Sequence, residues 1–135
     1  MRVFVDTSAM LAVLDADDRS HPAVAQAWKD LVNEGRDLVT SSYVLVETFA
    51  LVQSRLGVEA VRALDQDLLP VVAVIWLDPE VHRAAVAALL TAGRRQLSLV
   101  DCASFETMRR YGLTMALTID SHFAEQGFQV LPPIP

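Results

Sequence analysis

Four carboxylates, Asp6, Glu47, Asp101 and Asp120, each stand where an apolar stretch gives way to an expected helix start, although they are scattered across 135 residues. One acid beside a helix start is ordinary, because backbone capping and the helix dipole both favour it. Several crowded together repel one another unless protons or cations relieve them. Convergence of the four would therefore predict a metal-dependent nuclease, in which hard oxygen ligands hold a divalent ion against a phosphate.

Each acid also has a purely structural reading. Ser98-x-x-Asp101 fits a capping box, in which the serine takes a backbone amide and the aspartate reaches back. Asp6 and Asp120 suit simple helix caps. Glu47 lies past the usual capping position, among Val44, Leu45, Val46 and Phe49, and suits a solvent-facing helix position.

The elements that must position these acids follow from apolar periodicity and punctuation. Residues 2–5 read as a strand stopping at Asp6-Thr7-Ser8, followed by an almost wholly apolar helix over 8–15. Pro22 opens a helix to about Asn33, and 37–40 form a second strand. Ser41 or Ser42 caps the helix carrying Glu47, and Gly57 separates it from a helical stretch over 58–69. Residues 71–77 predict a fully buried strand, and Asp78-Pro79 then start a helix ending at Gly93. Ser98 opens the helix of Asp101, which stops at Gly112; a strand over 115–119 ends at Asp120, and a short helix and a strand near 129–131 follow. Alternation of apolar strands with helices predicts one α/β domain over residues 1–135 with a largely parallel sheet. In such sheets ligands gather outside the carboxyl ends of the strands, where Asp6 and Asp120 would stand.

Composition narrows the classes. The chain is 53% apolar and 21% charged, which suits a globular domain. Its longest apolar run, Leu68–Leu77, contains Pro70 and falls short of the roughly 20 residues that span a bilayer, so no membrane segment is expected. The first residues lack the apolar core of a secretory signal, and a cytoplasmic chain is expected. Cys102 is alone and reads as a small buried residue. His21, His82 and His122 have no second cysteine to complete a zinc set, and only His122 is of interest. Neither glycine-rich nucleotide pattern occurs among the five glycines. A net charge of −6 argues against backbone phosphate binding, unless the excess is gathered in one cleft where a bound cation reverses the local sign. The paired basic residues Arg94, Arg95, Arg109 and Arg110 suit either flanking phosphates or a solvated face. Tyr43, Phe105 and Phe123 suit base stacking or, more simply, core packing.

Four segments carry a family resemblance when read together: Val3-Phe4-Val5-Asp6-Thr7-Ser8, Thr40-Ser41-Ser42-Tyr43-Val44-Leu45-Val46-Glu47, Leu97-Ser98-Leu99-Val100-Asp101-Cys102-Ala103-Ser104-Phe105, and Ala116-Leu117-Thr118-Ile119-Asp120-Ser121-His122-Phe123. In order and spacing they resemble a PIN domain, closest to VapC-type toxins. The resemblance covers essentially the whole chain and implies a three-layer α/β/α fold with a central, mostly parallel sheet. It places the family's acidic set on Asp6, Glu47, Asp101 and Asp120. It also implies Mg²⁺ or Mn²⁺ as cofactor, RNA as substrate, products with a 5′-phosphate and a 3′-hydroxyl, a cognate antitoxin covering the acidic cleft, and a homodimer.

Within that set Asp6 and Asp101 are the first candidates for direct metal ligands. Asp120 and Glu47 would hold metal-bound waters or a second ion and orient the attacking water; one ion and two ions both satisfy the set. Thr7, Ser8 and Thr118 place hydroxyls where they suit either metal-bound waters or ordinary capping and strand roles. Apolar segments around Trp28, Leu56 and Trp76 are candidate partner surfaces. Two rivals stand beside the nuclease: an RNA-binding or regulatory module without catalysis, and a haloacid-dehalogenase-like phosphotransferase with Asp6 as nucleophile. The second lacks its expected acid at position 8, which is Ser8.

Overall fold

Val3, Phe4 and Val5 are consecutive and all fully buried. Successive strand residues point to opposite faces, so both faces of the sheet are covered at this point. In the computed structural model, which describes residues 1–133, the strand they belong to, β1 (Arg2–Val5), is the centre of a five-stranded sheet. Its companions are β2 (Asp37–Ser41), β3 (Val72–Ile75), β4 (Met115–Leu117) and β5 (Gln129–Leu131). The order is β3-β2-β1-β4-β5, and every pairing is parallel. This is the expected three-layer α/β/α arrangement. The chain winds from β1 outward through β2 and β3, then returns to place β4 on the other side of β1. The reversal creates a crevice at the carboxyl ends of β1 and β4.

The helices are α1 (Thr7–Leu14), α2 (His21–Asn33), α3 (Ser42–Leu56), α4 (Val58–Ala63), α5 (Pro79–Ala92), α6 (Leu99–Arg110) and α7 (His122–Glu125). Local chemistry starts and stops them as anticipated. Ser41 Oγ accepts the Val44 amide, Asp78 accepts the Val81 amide with Pro79 in the first turn, and Gly93 ends α5 with φ 59°. No helix among the described residues is long and apolar enough to cross a membrane.

Three expectations require correction. The helical stretch over 58–69 breaks at Ala63 into a π turn (Leu64–Leu68) and a 3₁₀ turn (Leu69–Val71), where Pro70 supplies no amide for the α pattern. The strand expected to be fully buried over 71–77 is the edge strand β3, with only Val72 buried, while Val71 and Trp76 are 47% and 71% exposed. An apolar run is equally compatible with a central and an edge position, and here no further strand among the described residues lies beyond β3. The strand expected over 115–119 stops at Leu117 because the Ile119 and Asp120 amides turn to side-chain oxygens, those of Ser8 and Thr118.

Candidate active site

Asp6 follows β1 immediately, and its amide donates to Leu117 O at 3.1 Å, which holds it against the end of β4. It occupies the N-cap position of α1 with extended backbone, yet its side chain caps nothing. The carboxylate turns instead to two hydroxyls. Ser8 Oγ donates to Asp6 Oδ2 at 2.8 Å, and Thr118 Oγ1 donates to the same oxygen at 3.0 Å. Each hydroxyl in turn accepts an amide, Ser8 that of Ile119 at 3.1 Å and Thr118 that of Asp120 at 3.0 Å. One carboxylate oxygen is thus saturated, and no donor among the described residues engages Oδ1.

Asp101 lies in the first turn of α6 and forms the anticipated capping box. Its Oδ2 accepts the Ser98 amide at 2.9 Å, and its own amide donates to Ser98 Oγ at 3.1 Å. That bond also uses one oxygen and leaves the other. Asp120 Oδ1 accepts the His122 amide at 2.9 Å. The His122 ring nitrogen Nδ1 is buried and lies 2.8 Å from the same oxygen, without the alignment of a hydrogen bond. Asp101, Asp120 and His122 offer ligand atoms that all lie within 4.8 Å of one another.

The electrostatics match the crowding. Asp6 is only 5% exposed, and burial pushes its carboxyl up to about 6; the two hydroxyls oppose that rise, and the charges of Asp101 and Asp120 add to it. Asp101 is raised as well, first by burial and further by Asp120, with the Ser98 bonds and His122 pulling the other way. No lysine or arginine side chain among the described residues makes an ion pair with Asp6, Asp101 or Asp120. The donor set is therefore short of positive charge.

A match to the PIN domain model extends over residues 3–129. The chain belongs to the PIN domain family. This PIN domain is 33% identical over 132 residues, 97% of its own chain and 98% of the relative, to a protein of Mycobacterium tuberculosis named 23S rRNA-specific endonuclease VapC20. It is 30% identical over 140 residues, 98% of this chain and 93% of the relative, to Ribonuclease VapC26 of the same organism. The crystal structure of M. tuberculosis VapC20, described as a sarcin-ricin loop cleaving toxin, superimposes with a TM-score of 0.81 over 93% of this chain and 95% of that one.

Three of the four anticipated acids of the PIN domain thus gather at the crevice: Asp6, Asp101 and Asp120. Glu47 is half-buried in α3 and makes no side-chain hydrogen bond or ion pair among the described residues. Its neighbour Thr48 has its hydroxyl 3.2 Å from that of Thr7, which brings this turn of α3 beside the start of α1. Of the hydroxyls weighed as holders of water, Ser8 and Thr118 grip Asp6 directly, and Thr7 faces Thr48. The sequence reading lacked the role of His122 against Asp120, for which the spacing Asp120-x-His122 is the available signal.

Three of the four paired arginines are engaged by neighbours. Arg94 bonds Glu125, Arg110 bonds Glu80 and Glu106, and Arg109 bonds Gln126 while lying 5.3 Å from the Phe128 ring centre. Phe105 and Phe123 are core residues, Trp28 is buried, and Tyr43 is half-buried with its hydroxyl bonded to His82 Nδ1. None of the three aromatic rings weighed for base stacking is exposed.

The residues present fit a hard divalent cation. Two acids each keep one oxygen free of hydrogen bonds, a third stands beside a buried imidazole nitrogen, and burial without a cationic partner leaves the charge uncompensated.

Proposed function

We propose that this PIN domain, acting as one unit over residues 1–135, is a divalent-metal-dependent endoribonuclease and the toxin of a toxin–antitoxin pair. The observation that carries the reading is the convergence of Asp6, Asp101 and Asp120 from three distant segments around a buried, uncompensated carboxylate. Two relatives are named as a 23S rRNA-specific endonuclease and a ribonuclease, which supports RNA as the substrate.

In this reading Asp6, Asp101 and Asp120 hold Mg²⁺ or Mn²⁺. The bound ion would supply Lewis-acid stabilisation of charge on the phosphate and activation of water near neutral pH. Ser8 and Thr118 fix Asp6 so that its free oxygen faces the crevice, and His122 holds the rotamer of Asp120. Glu47 orients the attacking water. Water adds to phosphorus, the bond to the 3′ oxygen breaks, and the proton passes to that oxygen, leaving a 5′-phosphate and a 3′-hydroxyl.

A cognate antitoxin is the partner that such a cleft needs inside a cell, and a basic residue inserted among the acids would compete with the cation. The reading also includes a homodimer, for which the 71% exposed Trp76 is an available apolar contact.

The test is cleavage of RNA by purified protein with Mn²⁺, followed by sequencing of the new 5′ ends. Intact large-subunit ribosomal RNA is the first substrate to try, because the VapC20 relative is named for it. Expected are a few reproducible cut positions carrying 5′-phosphate that vanish with EDTA. Cleavage indifferent to EDTA, or none on any RNA, would reject the reading.

A further inference from the structure

A cavity of about 390 Å³ opens beside the acids, with Thr118 and Asp120 forming part of its lining. Its volume falls within the roughly 300–1,000 Å³ of sites that bind small organic groups. Its apolar lining includes Ile119, 44% exposed in spite of its size, together with Val130 and Pro132. Polar residues line it too. Arg19 is among them, exposed and without an ion pair or side-chain hydrogen bond among the described residues. Ser20 and Ser121 also line the cavity, and their hydroxyls make no hydrogen bond among the described residues.

We propose that this cavity is a nucleobase pocket that receives a splayed-out base adjacent to the scissile phosphate of single-stranded or loop RNA. The proposal rests on the nuclease reading of the neighbouring acids.

Three observations converge on a nucleotide. The pocket shares residues with the acidic cluster, so whatever occupies it lies next to a phosphate held at that cluster. Its aliphatic lining residues suit the flat face of a base, while the unengaged hydroxyls of Ser20 and Ser121 can each donate to or accept from a base edge. Arg19 supplies a guanidinium for the phosphate of the same nucleotide. The net charge of −6 disfavours holding RNA by general attraction for its backbone, which leaves part of the affinity to contacts with a base. With Arg94, Arg109 and Arg110 tied to neighbours, Arg19 is a cation without an ion pair among the described residues that lines the same cavity as Asp120. Ile119 becomes a specificity-determining residue: its backbone amide supports Ser8, and its side chain lines the pocket.

The experiment pairs a protein variant with a substrate variant. RNA oligonucleotides spanning a mapped cut carry a single abasic unit at each position around it, and cleavage is measured with Mn²⁺ for wild type, Ile119→Asp and Ile119→Val. In wild type one abasic position next to the cut should lower kcat/KM about tenfold, the loss of roughly 1.4 kcal/mol of contact. Ile119→Asp should show a similar loss on the intact oligonucleotide and no further loss from that abasic unit, and Ile119→Val should restore the wild-type pattern. A thermal melt of each variant separates this from misfolding.

Independent, multiplying effects of the two changes would overturn the pocket while leaving the nuclease reading intact, as would uniform tolerance of abasic units by wild type. Normal cleavage by Ile119→Asp together with lost inhibition by the antitoxin would assign the pocket to the protein partner and overturn the proposal. Failure of wild type to cut any RNA would remove the nuclease reading and this proposal with it.

Discussion

Thr118 donates its hydroxyl proton to Asp6 at 3.0 Å across 112 positions of sequence, while the same oxygen accepts the Asp120 amide at 3.0 Å. One side chain therefore sets the orientation of one acid and the backbone leading to another. Threonine suits the position because a hydroxyl can donate and accept at once, and because a β-branched residue holds χ1 firmly.

Thr118→Val keeps the shape and removes both bonds. It should lower RNA cleavage by about 10–100-fold and stability by about 1–2 kcal/mol, with Thr118→Ser recovering most of both. Urea melts alongside cleavage kinetics check this, and a fully active Thr118→Val would show that Asp6 needs no such support.

Asp6→Asn should abolish cleavage yet stabilise the metal-free protein. With its pKa raised from 3.8 to about 6, Asp6 disfavours the fold when ionised. That penalty is complete above pH 6 and fades as pH falls toward 3.8, because the folded state then binds a proton that the unfolded state releases. Metal-free wild type should accordingly gain stability relative to Asp6→Asn between pH 7.5 and about 5, by roughly 1.4 kcal/mol. A constant difference across that range, measured by denaturant unfolding, would contradict the assigned ionisation.

Asp101→Asn preserves an acceptor for the Ser98 amide, so α6 should keep its start. Cleavage should fall by more than the roughly 10–100-fold typical of supporting residues. Addition of Mn²⁺ at about 100 times its Kd should stabilise wild type by about 2.7 kcal/mol and the variant far less. Equal Mn²⁺-induced rises in Tm for the two proteins would remove Asp101 from the ligand set.

Glu47→Gln isolates the acid that makes no side-chain hydrogen bond or ion pair among the described residues. Stability should stay within about 0.5 kcal/mol, whereas cleavage should drop about 100-fold if Glu47 orients the water. Unchanged kinetics would restrict the machinery to Asp6, Asp101 and Asp120.

Much of this architecture is legible along the chain because its signals are local. The Ser98-x-x-Asp101 box, the Asp78-Pro79 start and the Gly93 stop depend on backbone groups within a few residues, and each appears where its residue types predict. The edge position of β3 is not legible in Val72–Ile75, because the number of neighbours a strand acquires depends on segments far away. For the same reason Asp6 reads equally well as a cap or as a ligand until Ser8 and Thr118 claim its oxygen.

Residue types and their order establish the alternation of strands and helices, the family, and the four acids worth testing, since periodicity and short motifs are written in neighbouring positions. Proximity is a different matter. That Asp6, Asp101 and Asp120 share one crevice, that Glu47 makes no side-chain hydrogen bond or ion pair among the described residues, and that Arg19 and Ile119 line a cavity with Asp120 are decided by the tertiary structure, in which β4 returns to pair with β1. Charge repulsion, burial and hydrogen bonding act over a few ångströms of space, and folding brings residues more than a hundred positions apart within that range.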